Sequence, residues 1–107
     1  MTKEMFEEIT AWQKETFTKA TDLSTVLHLK EEVSELEQDL INQPHLAITE
    51  YADCFLLLFG SAKLHGLSYE DICKAISSKM EINKQRVWGK VNEKGCVKHI
   101  EEKGGNP

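Results

Sequence analysis

The chain has 107 residues, 40% hydrophobic and 29% charged, a globular composition with room for one domain. Its formal net charge of −5, with no run of Lys and Arg, excludes a nucleic-acid polymer as partner but is compatible with a single nucleotide carried with its metal ions. Cys54, Cys73 and Cys96 lack Cys-x-x-Cys spacing, no apolar signal core opens the chain, and the longest apolar run, Cys54 to Phe59, is too short for a bilayer; the expectation is a soluble cytoplasmic protein with reduced thiols and no membrane partner.

Thr2 is placed to cap a first helix over residues 3 to 17, with Met5, Ile9, Trp12 and Phe17 at helical spacing. Asp22 or Ser24 then caps a second helix, whose Val26, Leu29, Val33, Leu36 and Leu40 alternate by threes and fours to about Asn42. Pro44 suits the first position of a third helix running to about His65, where Gly66 stops it. Ser68 and Asp71 form a capping box for a fourth helix, which carries Ile72, Ala75, Ile76, Met80 and Val87 to about Trp88.

Short links between four helices predict an all-α, antiparallel four-helix bundle over residues 1–90, and the Gly-rich, mixed-charge residues 91–107 predict a short, loose tail. The third helix is apolar almost all round at Phe55, Leu56, Leu57, Leu58 and Phe59, so it needs cover on more than one side. A homo-oligomer, dimer or tetramer, would supply that cover.

On a helical wheel Leu29, Val33, Leu36 and Leu40 centre the buried stripe of the second helix, and Glu32 and Glu35 project together from its flank. The third helix repeats the pattern, with Ala47, Tyr51, Cys54 and Leu58 as stripe and Glu50 and Asp53 on the flank. Packed stripe to stripe, the two helices bring four acids to one place, where they require cations, and an oxygen-only ligand set favours Mg²⁺ or Mn²⁺. Neither helix offers the Glu-x-x-His pair of di-iron bundles. Glu31 falls nearly opposite the stripe, as plain surface or as a group that helps orient a water.

Lys79, Asn83 and Arg86 share a face of the fourth helix and suit phosphate oxygens, although cations near a helix C-terminus are also favoured as plain surface. His28 lies one turn before Glu32, and Trp12, Gln13 and Phe17 could stack on and hydrogen-bond a base or serve as core. There is no phosphate-binding Gly-rich loop, no Ser/His/Asp order and no zinc spacing.

The run HLKEEVSELEQDL, with Glu50-Tyr-Ala-Asp53 following, resembles the signature of MazG-like nucleoside triphosphate pyrophosphohydrolases. WQKETF, the HL at His28 and the series Lys79, Asn83, Arg86, Trp88 extend the resemblance to a compact phage and bacterial variant acting on dATP and dGTP, over roughly residues 10 to 90. Relatives of this variant often have proline where this chain has Thr18. The resemblance implies Glu32, Glu35, Glu50 and Asp53 as ligands of Mg²⁺, with Mn²⁺ able to substitute, and Glu31 and Glu35 as catalytic groups near the attacking water. It also implies Lys79, Asn83 and Arg86 on the phosphates and Trp12, Gln13, Phe17 and His28 at the base. The expected reaction converts a purine dNTP to its monophosphate and pyrophosphate in the cytosol of a bacterium or phage-infected host. A pyrimidine or damaged-nucleotide pyrophosphatase, a non-enzymatic helical module, and a phospho-carrier using His28 are the competing expectations.

Overall fold

The computed structural model describes residues 1–102. Four helices, α1 (Lys3–Thr16), α2 (Asp22–Asn42), α3 (Ala47–Leu64) and α4 (Tyr69–Gln85), are followed by two short strands, β1 (Arg86–Trp88) and β2 (His99–Glu102). The chain divides into two compact units, Met1–Glu70 and Asp71–Pro107. No helix among the described residues is long and apolar enough to cross a membrane, and the three cysteines are free.

In the first unit the caps are local and strong. Thr2 Oγ1 accepts the Met5 N–H at 3.1 Å, which fixes the start of α1. The cap of α2 is Thr21 rather than Asp22 or Ser24: its Oγ1 accepts the Ser24 N–H at 3.0 Å while Ser24 Oγ accepts the Thr21 N–H at 2.8 Å. Asp22 is thereby free to meet α3. Its carboxylate lies 2.9 Å from His65 Nδ1 and its carbonyl accepts from Ser61 Oγ at 2.8 Å. These contacts tie the beginning of α2 to the end of α3, so the two helices run antiparallel. Pro44–Leu46 forms a single 3-10 turn, and α3 begins at Ala47. Gly66, at φ +100°, ends α3, and the Leu67 N–H returns to the Ala62 carbonyl at 3.0 Å.

α1 lies across α3. Phe6, 1% exposed, packs its ring against Phe59 and Tyr69 at centroid distances of 5.9 and 5.8 Å. Further along, Gln13 Nε2 donates to the Leu56 carbonyl at 2.8 Å.

The faces that α2 and α3 turn to one another differ from the expected stripes. On α2 the covered positions are Asp22, Thr25, Leu29, Glu32, Leu36 and Asp39, while Val33 and Leu40 are 48% and 44% exposed. On α3 they include Ala47, Glu50, Cys54 and Leu57, while Tyr51 and Leu58 stand out at 45% and 50%. Each apolar stripe therefore serves two seams. One flank packs within the chain and carries Glu32 and Glu50 inward with it; the other, with Val26, Val33, Leu40, Tyr51, Phe55 and Leu58, stays uncovered.

In the second unit α4 stops at Gln85, short of the expected Trp88. Val87 and Trp88, a β-branched and an aromatic residue, suit a strand, and β1 pairs antiparallel with β2, Arg86 facing Glu102 and Trp88 facing His99. The Trp88 indole N–H also donates to the Asn83 carbonyl at 3.0 Å, satisfying one of the last groups of the helix. Asn92 Oδ1 holds the connecting turn, accepting the Lys94 and Cys96 N–H groups at 2.9 Å each. The described part of the tail thus differs from the expected loose segment, and residues 103–107 lie outside the described residues.

Candidate metal centre and nucleotide cavity

Glu32 and Glu35 leave α2 one turn apart, and Glu50 leaves the facing turn of α3. One carboxylate oxygen from each of the three lies within 4.8 Å of the others. Glu50 Oε2 is buried and has no hydrogen-bond partner. Leaving a buried carboxylate oxygen unpaired beside two like charges is costly, and a divalent cation with oxygen-only ligands removes the cost directly. The donor set therefore fits the metal that the sequence motif implies.

The electrostatics agree. Burial first, then the charges of Glu35, Asp39, Glu32 and Asp53, push Glu50 above the usual carboxylate value of 4.5. Glu35 is also raised, foremost by the hydrogen bond it shares with Glu32 and then by that neighbour's charge. Cys54, beside them on α3, is pushed up by burial and by the charges of Glu32, Glu50 and Asp53.

Carboxylates raised in the folded state give a definite sign to the pH dependence of the metal-free protein. Their contribution to stability is fully present below the unfolded value of 4.5 and is lost as pH rises through the raised folded values. Asp22 and Glu70, lowered chiefly by His65 and Lys3, contribute in the opposite direction. Comparison with a Glu35→Gln/Glu50→Gln double variant isolates the cluster. In chelator, the stability advantage of this variant over the wild type should grow between mildly acid and neutral pH, as read by urea unfolding; an advantage that shrinks as pH rises would contradict this.

Asp53, on the same side of α3, is exposed and contributes charge to the cluster without joining the closest group of three. Glu31 is exposed. It lines an open groove of about 570 Å³ together with Ser34, Glu35, Gln38, Asp39 and Glu50. Asp39 was not singled out by the motif, although it stands one helical turn after Glu35 and two after Glu32 and is half-buried against α3. His28 Nε2 approaches Glu32 Oε1 at 3.3 Å, as the one-turn spacing predicts.

His28 also lines a second cavity, of about 670 Å³, walled by α1, α2 and α3. Gln13, Phe17, Ser24, Leu57 and Gly60 contribute to it, and the volume is that of a small-molecule site. Of the residues expected at a base, Gln13, Phe17 and His28 meet here, whereas Trp12 stands outside the lining, 59% exposed, with its ring edge against Phe17 at 5.6 Å. Gly60 lets α1 come close: a Cβ there would lie 2.7 Å from Gln13 Oε1. In the second unit Arg86 Nη1 donates to Asn83 Oδ1 at 3.4 Å, so two of the three phosphate candidates touch, with Arg86 on β1 rather than on the helix.

Clustered acids on antiparallel helices, beside a cavity of small-molecule size, are the arrangement that the MazG-like motif leads one to expect. The chain belongs to the dATP/dGTP pyrophosphohydrolase family, whose pattern it matches over residues 5–106. It is 35% identical over 96 residues to a dATP/dGTP diphosphohydrolase of Salmonella phage PMBT28, an alignment that covers 90% of this chain and 30% of the length of that relative. Among solved structures it is similar to the cyanophage S-2L MazG-like pyrophosphohydrolase bound to dGDP and three catalytic Mn²⁺ ions per active site. That likeness has a TM-score of 0.74 and 31% identity, and covers 94% of this chain and 98% of the other.

Proposed function

We propose that this chain hydrolyses purine deoxynucleoside triphosphates, dATP or dGTP, to the monophosphate and pyrophosphate, with Mg²⁺ held by Glu32, Glu35, Glu50 and Asp53 and with Mn²⁺ able to replace it. The observation that carries the reading is the convergence of Glu32, Glu35 and Glu50 within 4.8 Å around the unpaired oxygen of Glu50. Bound divalent ions would supply charge neutralisation for the triphosphate and a lowered pKa for water.

The residues of the chain do the rest. His28, which lines the cavity and reaches Glu32, sets the base in the cavity while the phosphates lie at the carboxylates. Glu31 and Glu35, in the open groove, are assigned to orienting the attacking water and accepting its proton. Lys79, Asn83 and Arg86 are assigned to the phosphate oxygens, with Arg86 oriented by Asn83. Attack at the α-phosphorus needs no covalent intermediate, and the family relationship favours it over an interaction module or a phosphohistidine on His28.

We assign a homo-oligomer, because the uncovered apolar flank of α2 and α3 includes Phe55 at 57% and Ile48 at 75% exposure. The products decide the reaction. Incubation of dATP, dGTP, dCTP and dTTP with Mg²⁺ should release pyrophosphate and monophosphate, fastest from the purines; release of orthophosphate, or a dominant pyrimidine activity, would refute the assignment.

A further inference from the structure

We propose that His28 is a positioning residue for the metal ligand Glu32, through which the filling of the cavity walled by α1, α2 and α3 tightens the hold of the carboxylates on their ions. This rests on the proposed function, in which Glu32, Glu35 and Glu50 take divalent cations and the cavity takes the nucleoside. His28 stands one turn before Glu32 on α2, with Nε2 3.3 Å from Oε1. The two ends of this contact have different surroundings. The Glu32 side chain is 17% exposed and belongs to the close group of three acids, whereas the His28 side chain is 55% exposed and forms part of the cavity wall. The contact thus joins the cavity to the metal centre through one pair of side chains.

Its strength depends on what covers the imidazole. With the ring open to water, the carboxylate is screened from it, and the pair constrains Glu32 only weakly. A ligand lying along the cavity wall removes water from one side of the ring, confines its rotamers and strengthens its attraction to the carboxylate. Covering the ring is enough; no hydrogen bond from the ligand is required. Glu32 needs this support once an ion arrives. Its carboxylate shares a hydrogen bond with Glu35, and an ion that draws Glu35 into its own coordination removes that bond, leaving the His28 contact to orient Glu32. Outer partners of this kind hold metal-bound carboxylates in line. Coupling by this route is reciprocal, so a cation at the acids must also tighten the binding of whatever fills the cavity.

The test uses Mn²⁺ and 2′-deoxyguanosine, a nucleoside with no phosphate to touch the ions. Mn²⁺ affinity is read by electron paramagnetic resonance and nucleoside affinity by calorimetry, at one fixed pH, in the wild type, His28→Gln and His28→Leu. Saturating nucleoside should tighten Mn²⁺ binding to the wild type by about fivefold, and Mn²⁺ should tighten nucleoside binding by the same factor. His28→Gln, whose amide nitrogen can stand where Nε2 stands, should keep the coupling. His28→Leu should bind Mn²⁺ about tenfold more weakly and lose the coupling. A merely structural role for His28 would weaken Mn²⁺ binding and leave the nucleoside effect in place, and that result would overturn the proposal. So would a nucleoside that fails to bind, or one that binds the wild type and leaves its Mn²⁺ affinity unchanged. The metal reading itself fails separately, if the wild type and Glu50→Gln take up Mn²⁺ equally.

Discussion

Replacement of Glu50 by alanine is expected to reduce pyrophosphate release from dATP or dGTP by more than about a hundredfold, beyond the loss typical of groups that merely support a metal ligand. Glu50 is the sole member of the close group contributed by α3, and its buried Oε2 has no protein partner. The same change should not weaken the metal-free fold in the manner of a lost structural contact. Burial and four neighbouring acids already penalise the charged form of Glu50, so the isosteric Glu50→Gln should be at least as stable as the wild type in chelator at neutral pH. Loss of activity with retained or improved metal-free stability distinguishes a functional acid from a structural one. An active Glu50→Ala enzyme, or a Glu50→Gln protein that unfolds, would contradict the assignment.

The second large effect is expected from the ions themselves. A ligand present at a hundredfold over its Kd, binding only the folded state, stabilises by about 2.7 kcal/mol. For a chain of this size that corresponds to a rise in Tm on the order of 10 °C. Mn²⁺ or Mg²⁺ should produce it in the wild type and lose most of it in Glu50→Gln, while monovalent salt at equal ionic strength, which only screens the acids, should act much more weakly. The effect should also fade as pH falls, since protons compete for the same oxygens. Equal responses to divalent and monovalent salts would mean that the cluster is a solvated acidic face.

Much of the helical framework was legible because its signals are local. Thr2 caps α1 and Gly66 at φ +100° ends α3, both as residue type alone suggests. The cap of α2 fell one residue earlier than expected because Thr21 and Ser24 satisfy each other's backbone N–H groups, which leaves Asp22 for His65. The end of α4 was not legible, since it depends on the pairing of β1 with β2, a contact across the chain that no local pattern announces.

The site shows the same division. Glu32, Glu35 and Glu50 were recoverable from spacing, and the resemblance to MazG-like enzymes named them as ligands. Their true position was not. A wheel centred on Leu and Val assumes one buried stripe, whereas α2 divides its apolar residues between a covered flank with Leu29 and Leu36 and an open one with Val33 and Leu40. Glu32 consequently lies on the packed face rather than at its edge. Asp39 was overlooked because it follows Glu35 by four residues, outside the three-residue step of the motif, and Gly60 because its importance is visible only once α1 crosses α3.

The most direct test of the central claim is anomalous scattering from crystals grown with Mn²⁺ and a non-hydrolysable purine deoxynucleotide. Manganese peaks should appear at coordination distance from Glu32, Glu35 and Glu50, with the nucleotide phosphates on the same ions. Manganese absent from these three carboxylates in crystals where the nucleotide is bound would contradict it.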